Sequence, residues 1–210
     1  MDQNSLYRQQ VVLVRHGETE WALQGRHTGR TDVPLTERGR QQAVSLGRLL
    51  QRRKFANVLV SPRQRAVETC RLAGFGEVAE ARDDLAEWDY GEYEGRTTED
   101  IVAERPGWTL WDDGVPGGET VEDVGRRVDR VIAEVRSTPG DVAIFAHGHV
   151  LRILAARWVD LAPKDGRRFA LDPAGVSVLG YEHTWPVLAR WNETPINADE
   201  EDRNDIAAAF

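Results

Sequence analysis

Three short valine-rich runs, each halted by a polar cluster, constrain this chain more than any other feature. Val11-Val12-Leu13-Val14 stops at Arg15-His16-Gly17, residues 58–60 (VLV) stop at Ser61-Pro62, and residues 142–146 (VAIFA) stop at His147-Gly148-His149. An apolar run without alternation suits a strand buried on both faces, and such strands belong to parallel sheets covered by helices. The segments between them carry helical signals. Thr36 caps a helix with Ala43, Leu46, Leu49 and Leu50 at helical spacing. Ser61-Pro62 reads as an N-cap followed by an N1 proline, opening a helix through Ala66, Thr69 and Cys70 to a stop at Gly74. A short helix is expected near 97–104. Glu119 or Thr120 opens a long amphipathic helix whose Val121, Val124, Val128, Val131, Ile132 and Val135 share one face, and Pro139-Gly140 closes it. A further helix covers Val150 to Val159. Residues 176–182 and 187–191 read as two final strands around His183-Thr184-Trp185-Pro186. The expected fold class is α/β: a three-layer α/β/α sandwich on a mostly parallel sheet. One domain is expected over residues 1–192, followed by a tail from 193 to 210 that is acidic, then alanine-rich, with the composition of a disordered terminus.

Charge removes some partners from consideration. The chain has 27 basic and 35 acidic side chains, a formal balance of −8, so nucleic acid and anionic membrane are not expected partners. Its single cysteine, Cys70, rules out an intramolecular disulfide. No apolar run approaches the roughly 20 residues of a membrane helix, and the first ten residues lack the apolar core of a secretory signal. The expected location is the cytoplasm.

In open parallel sheets, ligands bind beyond the carboxyl ends of the strands. Three strand ends therefore bring Arg15, His16, Arg65 and His147 to one place. Two guanidiniums in one small site suit a doubly charged oxyanion, because each offers a planar fork of donors. A neutral imidazole, with an ordinary pKa of about 6.5, is a nucleophile near pH 7. Attack on phosphorus would also need a proton for the departing alkoxide. The segment Glu87-Trp88-Asp89-Tyr90-Gly91 sets carboxylates among aromatic rings, with Asp89, Glu92 and Glu94 as competitors to Glu87. Trp88, Trp108 and Trp111 read more readily as core aromatics than as pocket lining. His147 and His149 are spaced like a ligand pair, but no Asp or Cys nearby completes a set, so no metal and no cofactor is assigned.

The order of these segments resembles the histidine phosphatase superfamily, which includes the cofactor-dependent phosphoglycerate mutases. The resemblance runs from V-R-H-G-E-T at 14–19 through T-G-R-T-D-V-P-L-T-E-R-G at 28–39, S-P-R-Q-R-A at 61–66, E-W-D-Y-G-E-Y-E-G at 87–95, G-G-E-T at 117–120 and A-H-G-H at 146–149. It implies a phosphoglycerate mutase-like fold. It also implies that His16 is the nucleophile that becomes phosphorylated, that Arg15 and Arg65 hold the phosphoryl oxygens, that His147 donates to them, and that Glu87 is the proton donor. Thr28, Gly29, Tyr90, Gly148 and His149 stand where family members contact the rest of the substrate; His27 and His149 read either as sugar- or phosphate-contacting groups or as polar rim. The chain departs from many mutases at Ala22, where they carry an asparagine directly after the tryptophan. The E-W-D-Y-G-x-Y-E-G and A-H-G-H motifs resemble the small phosphatase branch, with its sedoheptulose-1,7-bisphosphatases and mycobacterial-type acid phosphatases. The expected function is metal-independent hydrolysis of small phosphorylated metabolites, sugar phosphates or bisphosphates. The alternatives are a mutase-type isomerase and a phosphate-binding module without turnover. Homodimers through sheet-edge pairing occur in the family, but no interface stripe stands out in this sequence.

Overall fold

The absence of alternation in the valine-rich runs has a direct structural cause. In the computed structural model, which describes residues 9–195, they form the centre of a six-stranded sheet covered on both faces. The strands are β1 (Val11–Arg15), β2 (Asn57–Val60), β3 (Ala79–Ala81), β4 (Val142–Ala146), β5 (Val176–Glu182) and β6 (Trp185–Glu193). Their order is β3-β2-β4-β1-β5-β6. The first four run parallel, β5 runs antiparallel to β1, and β6 antiparallel to β5. Successive side chains point to opposite faces, so each run feeds two cores. Val11, Leu13, Leu59 and Ile144 pack with α6 (Val121–Ser137) and α7 (Gly148–Trp158). Val12, Val14, Val58, Val60, Ala143 and Phe145 pack with α2 (Glu37–Leu50) and α3 (Gln64–Leu72). Each such side chain contributes roughly 1.5–3 kcal/mol when fully buried, and this layering fixes the strand ends. The three-layer α/β arrangement expected from sequence is the one observed.

The helix signals hold with informative exceptions. Thr36 caps α2 by accepting from the Gly39 amide. Thr120 and Asp123 form a reciprocal capping box at the start of α6, and Thr97 and Asp100 form another at α4 (Thr98–Glu104). Ser61-Pro62 does not open α3. That helix begins at Gln64, its N-cap Arg63 makes no side-chain capping bond, and the Ser61 hydroxyl is buried against His147 instead. Helix α7 starts at Gly148, two residues before the expected Val150, with extended His147 as its N-cap. The final hairpin turns on only two residues, His183-Thr184, because Trp185 and Pro186 pair with Glu182 and Tyr181. His183 takes a positive φ of 52° there. The loop-rich region also holds β3, α5 (Leu110–Asp113) and several 3-10 turns, all too short for periodicity to show. The first turn-length helix, α1, spans Glu20–Leu23. Of the tail expected beyond 193, residues 196–210 lie outside the described residues. Among the described residues no helix is long and apolar enough to cross a membrane.

Candidate active site

Register brings the chemistry together. Arg15 pairs with Ala146 across β1 and β4, and Val60 pairs with Phe145 across β2 and β4. The next residues, His16, Ser61 and His147, therefore emerge side by side. The His16 and His147 ring centroids lie 5.2 Å apart.

His16 is held by its neighbours' backbone. Its Nδ1 lies 2.7 Å from the Gly17 carbonyl. A carbonyl only accepts, so Nδ1 carries the proton and Nε2 keeps its lone pair. The peptides that follow are clamped in turn. The Gly17 amide donates to Thr69 Oγ1 at 3.0 Å, the Thr69 hydroxyl donates to the Arg65 carbonyl at 2.7 Å, and the Glu18 amide donates to Gln42 Oε1 at 2.9 Å. Gly17 is needed at this turn because a Cβ there would collide with the Gly39 carbonyl. Burial, then the charges of Arg65 and Arg15, hold the His16 pKa well below the ordinary imidazole value. The ring is therefore neutral at pH 7 with a free nitrogen.

The arginines differ. Arg15 lines the cavity and donates from Nη1 to the Leu171 carbonyl, while its buried Nε has no protein partner. Arg65 is fully buried beneath the cavity. It donates from Nε to His147 Nδ1, from Nη1 to the Thr31 carbonyl, and from Nη2 to the Thr28 and Gly29 carbonyls. Four of its five N–H groups are thus committed, leaving one on Nη1. Because an arginine Nε always donates, His147 Nδ1 must accept. His147 Nε2 then carries the proton and donates to Ser61 Oγ at 2.6 Å. Burial and the Arg65 charge push the His147 pKa well below its ordinary value.

Of the four candidate carboxylates, only Glu87 faces the cavity. It accepts from the backbone amides of Trp88, His149 and Val150 at 2.9, 3.0 and 2.9 Å, the last two at the N-terminus of α7. Asp89 pairs with Arg30, Glu92 is exposed, and Glu94 receives the Gly29 and Thr31 amides.

The cavity above His16 measures about 400 Å³. His27, Thr28, Tyr90, Gly148 and His149 line it. Gly29 does not: its amide and carbonyl are used by Glu94 and Arg65, and a Cβ would lie 2.6 Å from the Trp88 carbonyl. Arg65 and His147 also sit behind the lining. The buried Tyr90 hydroxyl, its pKa pushed well above the usual value chiefly by burial, shares a 2.7 Å hydrogen bond with His149 Nδ1. His27 Nε2 is buried without a partner.

Trp108 and Trp111 pack with the core, the reading the sequence favoured, and also help wall the cavity. Arg152 also faces it, its guanidinium 4.8 Å from the Trp111 ring centroid. Its spacing offered a signal: Arg152 lies four residues after Gly148, on the same face of α7. Ser61, Thr69 and Gln42 act behind the surface, and nothing in their spacing marked them. Among the described residues no three His, Cys, Asp or Glu side chains gather as metal ligands would.

Comparison with known proteins agrees with this geometry. Residues 11–194 match the model of the histidine phosphatase superfamily (branch 1). An acid phosphatase from Mycobacterium tuberculosis is 44% identical over 177 residues, covering 82% of this chain and 87% of the relative. A sedoheptulose 1,7-bisphosphatase from Saccharomyces cerevisiae is 32% identical, with coverage of 82% and 87%. A solved structure of an open reading frame from Mycobacterium tuberculosis superposes with a TM-score of 0.85 at 42% identity, covering 90% of this chain and 99% of that one. The chain belongs to branch 1 of the histidine phosphatase superfamily.

Proposed function

We propose that this chain hydrolyses small phosphate monoesters, sugar phosphates or bisphosphates, through a phosphohistidine on His16. The observation that carries the reading is the His16 ring itself: neutral, Nδ1–H tied to the Gly17 carbonyl, Nε2 free at the cavity floor. In the first step Nε2 attacks phosphorus, the P–O ester bond breaks, and Glu87 gives its proton to the leaving oxygen. In the second step water attacks phosphorus and gives Glu87 a proton. The P–N bond breaks, releasing phosphate and the imidazole.

The charge developing on the phosphoryl oxygens meets Arg15, which lines the cavity and whose buried Nε–H has no protein partner. Arg65 offers its remaining Nη1–H. A phosphoryl dianion competes well for guanidinium donors now held by neutral carbonyls, since charge-assisted bonds are roughly twice as strong. His147 contributes its Nε2–H, exchanging the Ser61 hydroxyl for an oxyanion. These cations supply the stabilisation themselves, so the scheme calls for no metal, and turnover in the presence of a chelator is expected. The sugar class is supported by the polar and aromatic wall of His27, Tyr90 and Trp108, and by the bisphosphatase relative.

The test is rapid quench into alkali, where phosphohistidine survives, using a labelled ester. A phosphoryl adduct should appear within one turnover and be missing in His16→Ala. Steady turnover with no adduct on any histidine would sink the reading. From 3-phosphoglycerate, 2-phosphoglycerate appearing faster than phosphate would turn it to a mutase.

A further inference from the structure

Glu119, in the Gly117-Gly118-Glu119-Thr120 motif, takes no part in the chemistry above, yet it sits in one of the best-built polar clusters of the molecule. Arg127, nearly buried on α6, donates from Nε to Glu119 Oε1 at 2.9 Å and from Nη2 to Oε2 at 3.1 Å. Its Nη1 donates to the carbonyls of Asp84 and Ala86 at 2.7 and 2.6 Å. Glu119 Oε2 accepts the Asp89 amide at 3.0 Å, the Glu119 amide donates to the Asp89 carbonyl at 3.0 Å, and the Glu119 carbonyl accepts the Trp88 indole N–H at 2.9 Å. Gly118 permits this approach, because a Cβ there would collide with the Asp89 carbonyl.

These contacts bracket one residue. They hold 84 and 86 on one side and 88 and 89 on the other, and none goes to Glu87. The segment lies between a 3-10 turn at Asp83–Leu85 and another at Gly91–Tyr93, with no strand or helix of its own to fix it. Both partners are anchored to the first turns of α6, a rigid element packed on the sheet. A buried ion pair is weak as a source of stability, since an apolar pair of similar volume often serves as well. Positioning explains its presence better: misplacing a reacting group by about 1 Å can cost 10²-fold in rate.

We propose that Glu119 and Arg127 are positioning residues for the proton donor, a bidentate pair that splints the chain on both sides of Glu87 and sets its carboxyl against the leaving oxygen. This rests on Glu87 being that donor.

The experiment compares kcat/KM for p-nitrophenyl phosphate, whose phenolate leaves with little need of a proton, with that for glycerol phosphate, whose alkoxide must be protonated. Glu87→Gln sets the benchmark and should lower the alkyl ester by roughly 10²–10⁴-fold, and the aryl ester far less. Arg127→Met should lower the alkyl-to-aryl ratio by about tenfold to a hundredfold. Glu119→Gln, isosteric and spared the cavity that could unfold Arg127→Met, should shift it the same way by a smaller factor. A merely structural pair would lower both esters alike, or neither. If Glu87→Gln is selective and the two pair variants are not, the positioning role is overturned while the donor assignment stands. If Glu87→Gln is itself unselective, the donor assignment fails and the splint falls with it.

Discussion

The floor and the wall of the cavity are built on opposite principles. The floor, Arg15, His16, Arg65 and His147, hangs from the ends of three parallel strands or the helices that follow them. His16 Nδ1, both His147 nitrogens and four of the five Arg65 N–H groups are held by protein partners, which leaves His16 Nε2 and Arg15 Nε free for a ligand. The wall, drawn from residues 26–28, 108–111 and 148–152, is polar and aromatic and leaves the buried His27 Nε2 without a protein partner. A floor fixed in advance suits a group of constant shape and charge, which the phosphoryl group is. A wall of mixed polar and aromatic side chains suits the variable part of an ester. Floor substitutions should therefore lower kcat for every ester, and wall substitutions should raise KM for some. His16→Ala gives the largest effect: a loss of roughly 10⁴-fold or more in kcat on all esters, by phosphate-release assay. Substantial turnover on even one ester would break the division.

Acid should act on both regions at once. His16, His147 and His149 all have pKa values held well below the ordinary 6.5, burial being the first cause in each. Below pH 6.5 the unfolded chain takes up protons that the folded chain refuses, so stability falls as pH falls through that range. Each of the three sets a ceiling of about 1.4 kcal/mol per pH unit, checked by urea midpoints between pH 7 and pH 4.5. His149→Phe should flatten the slope by about a third. A midpoint indifferent to pH across this range would contradict the burial of all three rings.

Thr69→Val tests the floor from behind. The isosteric change strands the Gly17 amide, a buried donor, at a cost of about 1–3 kcal/mol. It also loosens the peptide next to the one whose carbonyl orients His16. A kcat roughly tenfold lower on every ester, with KM little changed, is expected from steady-state kinetics beside urea unfolding. A KM rise confined to one ester would place Thr69 with the wall.

The same contrast explains what was legible in the sequence. Apolar runs ending at Val14, Val60 and Ala146 announced a parallel sheet, and its strand ends announced where His16 and His147 would meet. Strand burial is a local pattern with a global consequence. Ser61 was misread because its side chain serves a tertiary partner, His147, rather than the helix beside it. Trp108 and Trp111 were read more readily as core than as lining, and Arg152 went unnoticed, for a related reason. Their elements are short or their facing depends on packing across the cavity, and neither leaves a period in the chain.

Arg152 offers the mildest and most selective test. Its Nε and Nη2 donate to the carbonyls of Gly166 and Arg167, and the guanidinium rests on Trp111. Those contacts aim a cation, its pKa lowered chiefly by burial yet still charged at pH 7, into the wall. A second anionic group on the substrate would meet it there, whereas a monophosphate of the same sugar would not. Arg152→Met keeps the apolar stem over the indole and removes the charge. KM for a sugar bisphosphate should rise by about tenfold, the value of one exposed charge-assisted bond, while KM for the matching monophosphate and kcat for both stay within twofold. If kcat falls equally on both esters, Arg152 acts on the reacting phosphoryl and belongs with Arg15 in the floor. If neither constant moves, the wall recognises the ester through His27 and the aromatic rings alone, and the preference for a second anion has no residue to carry it.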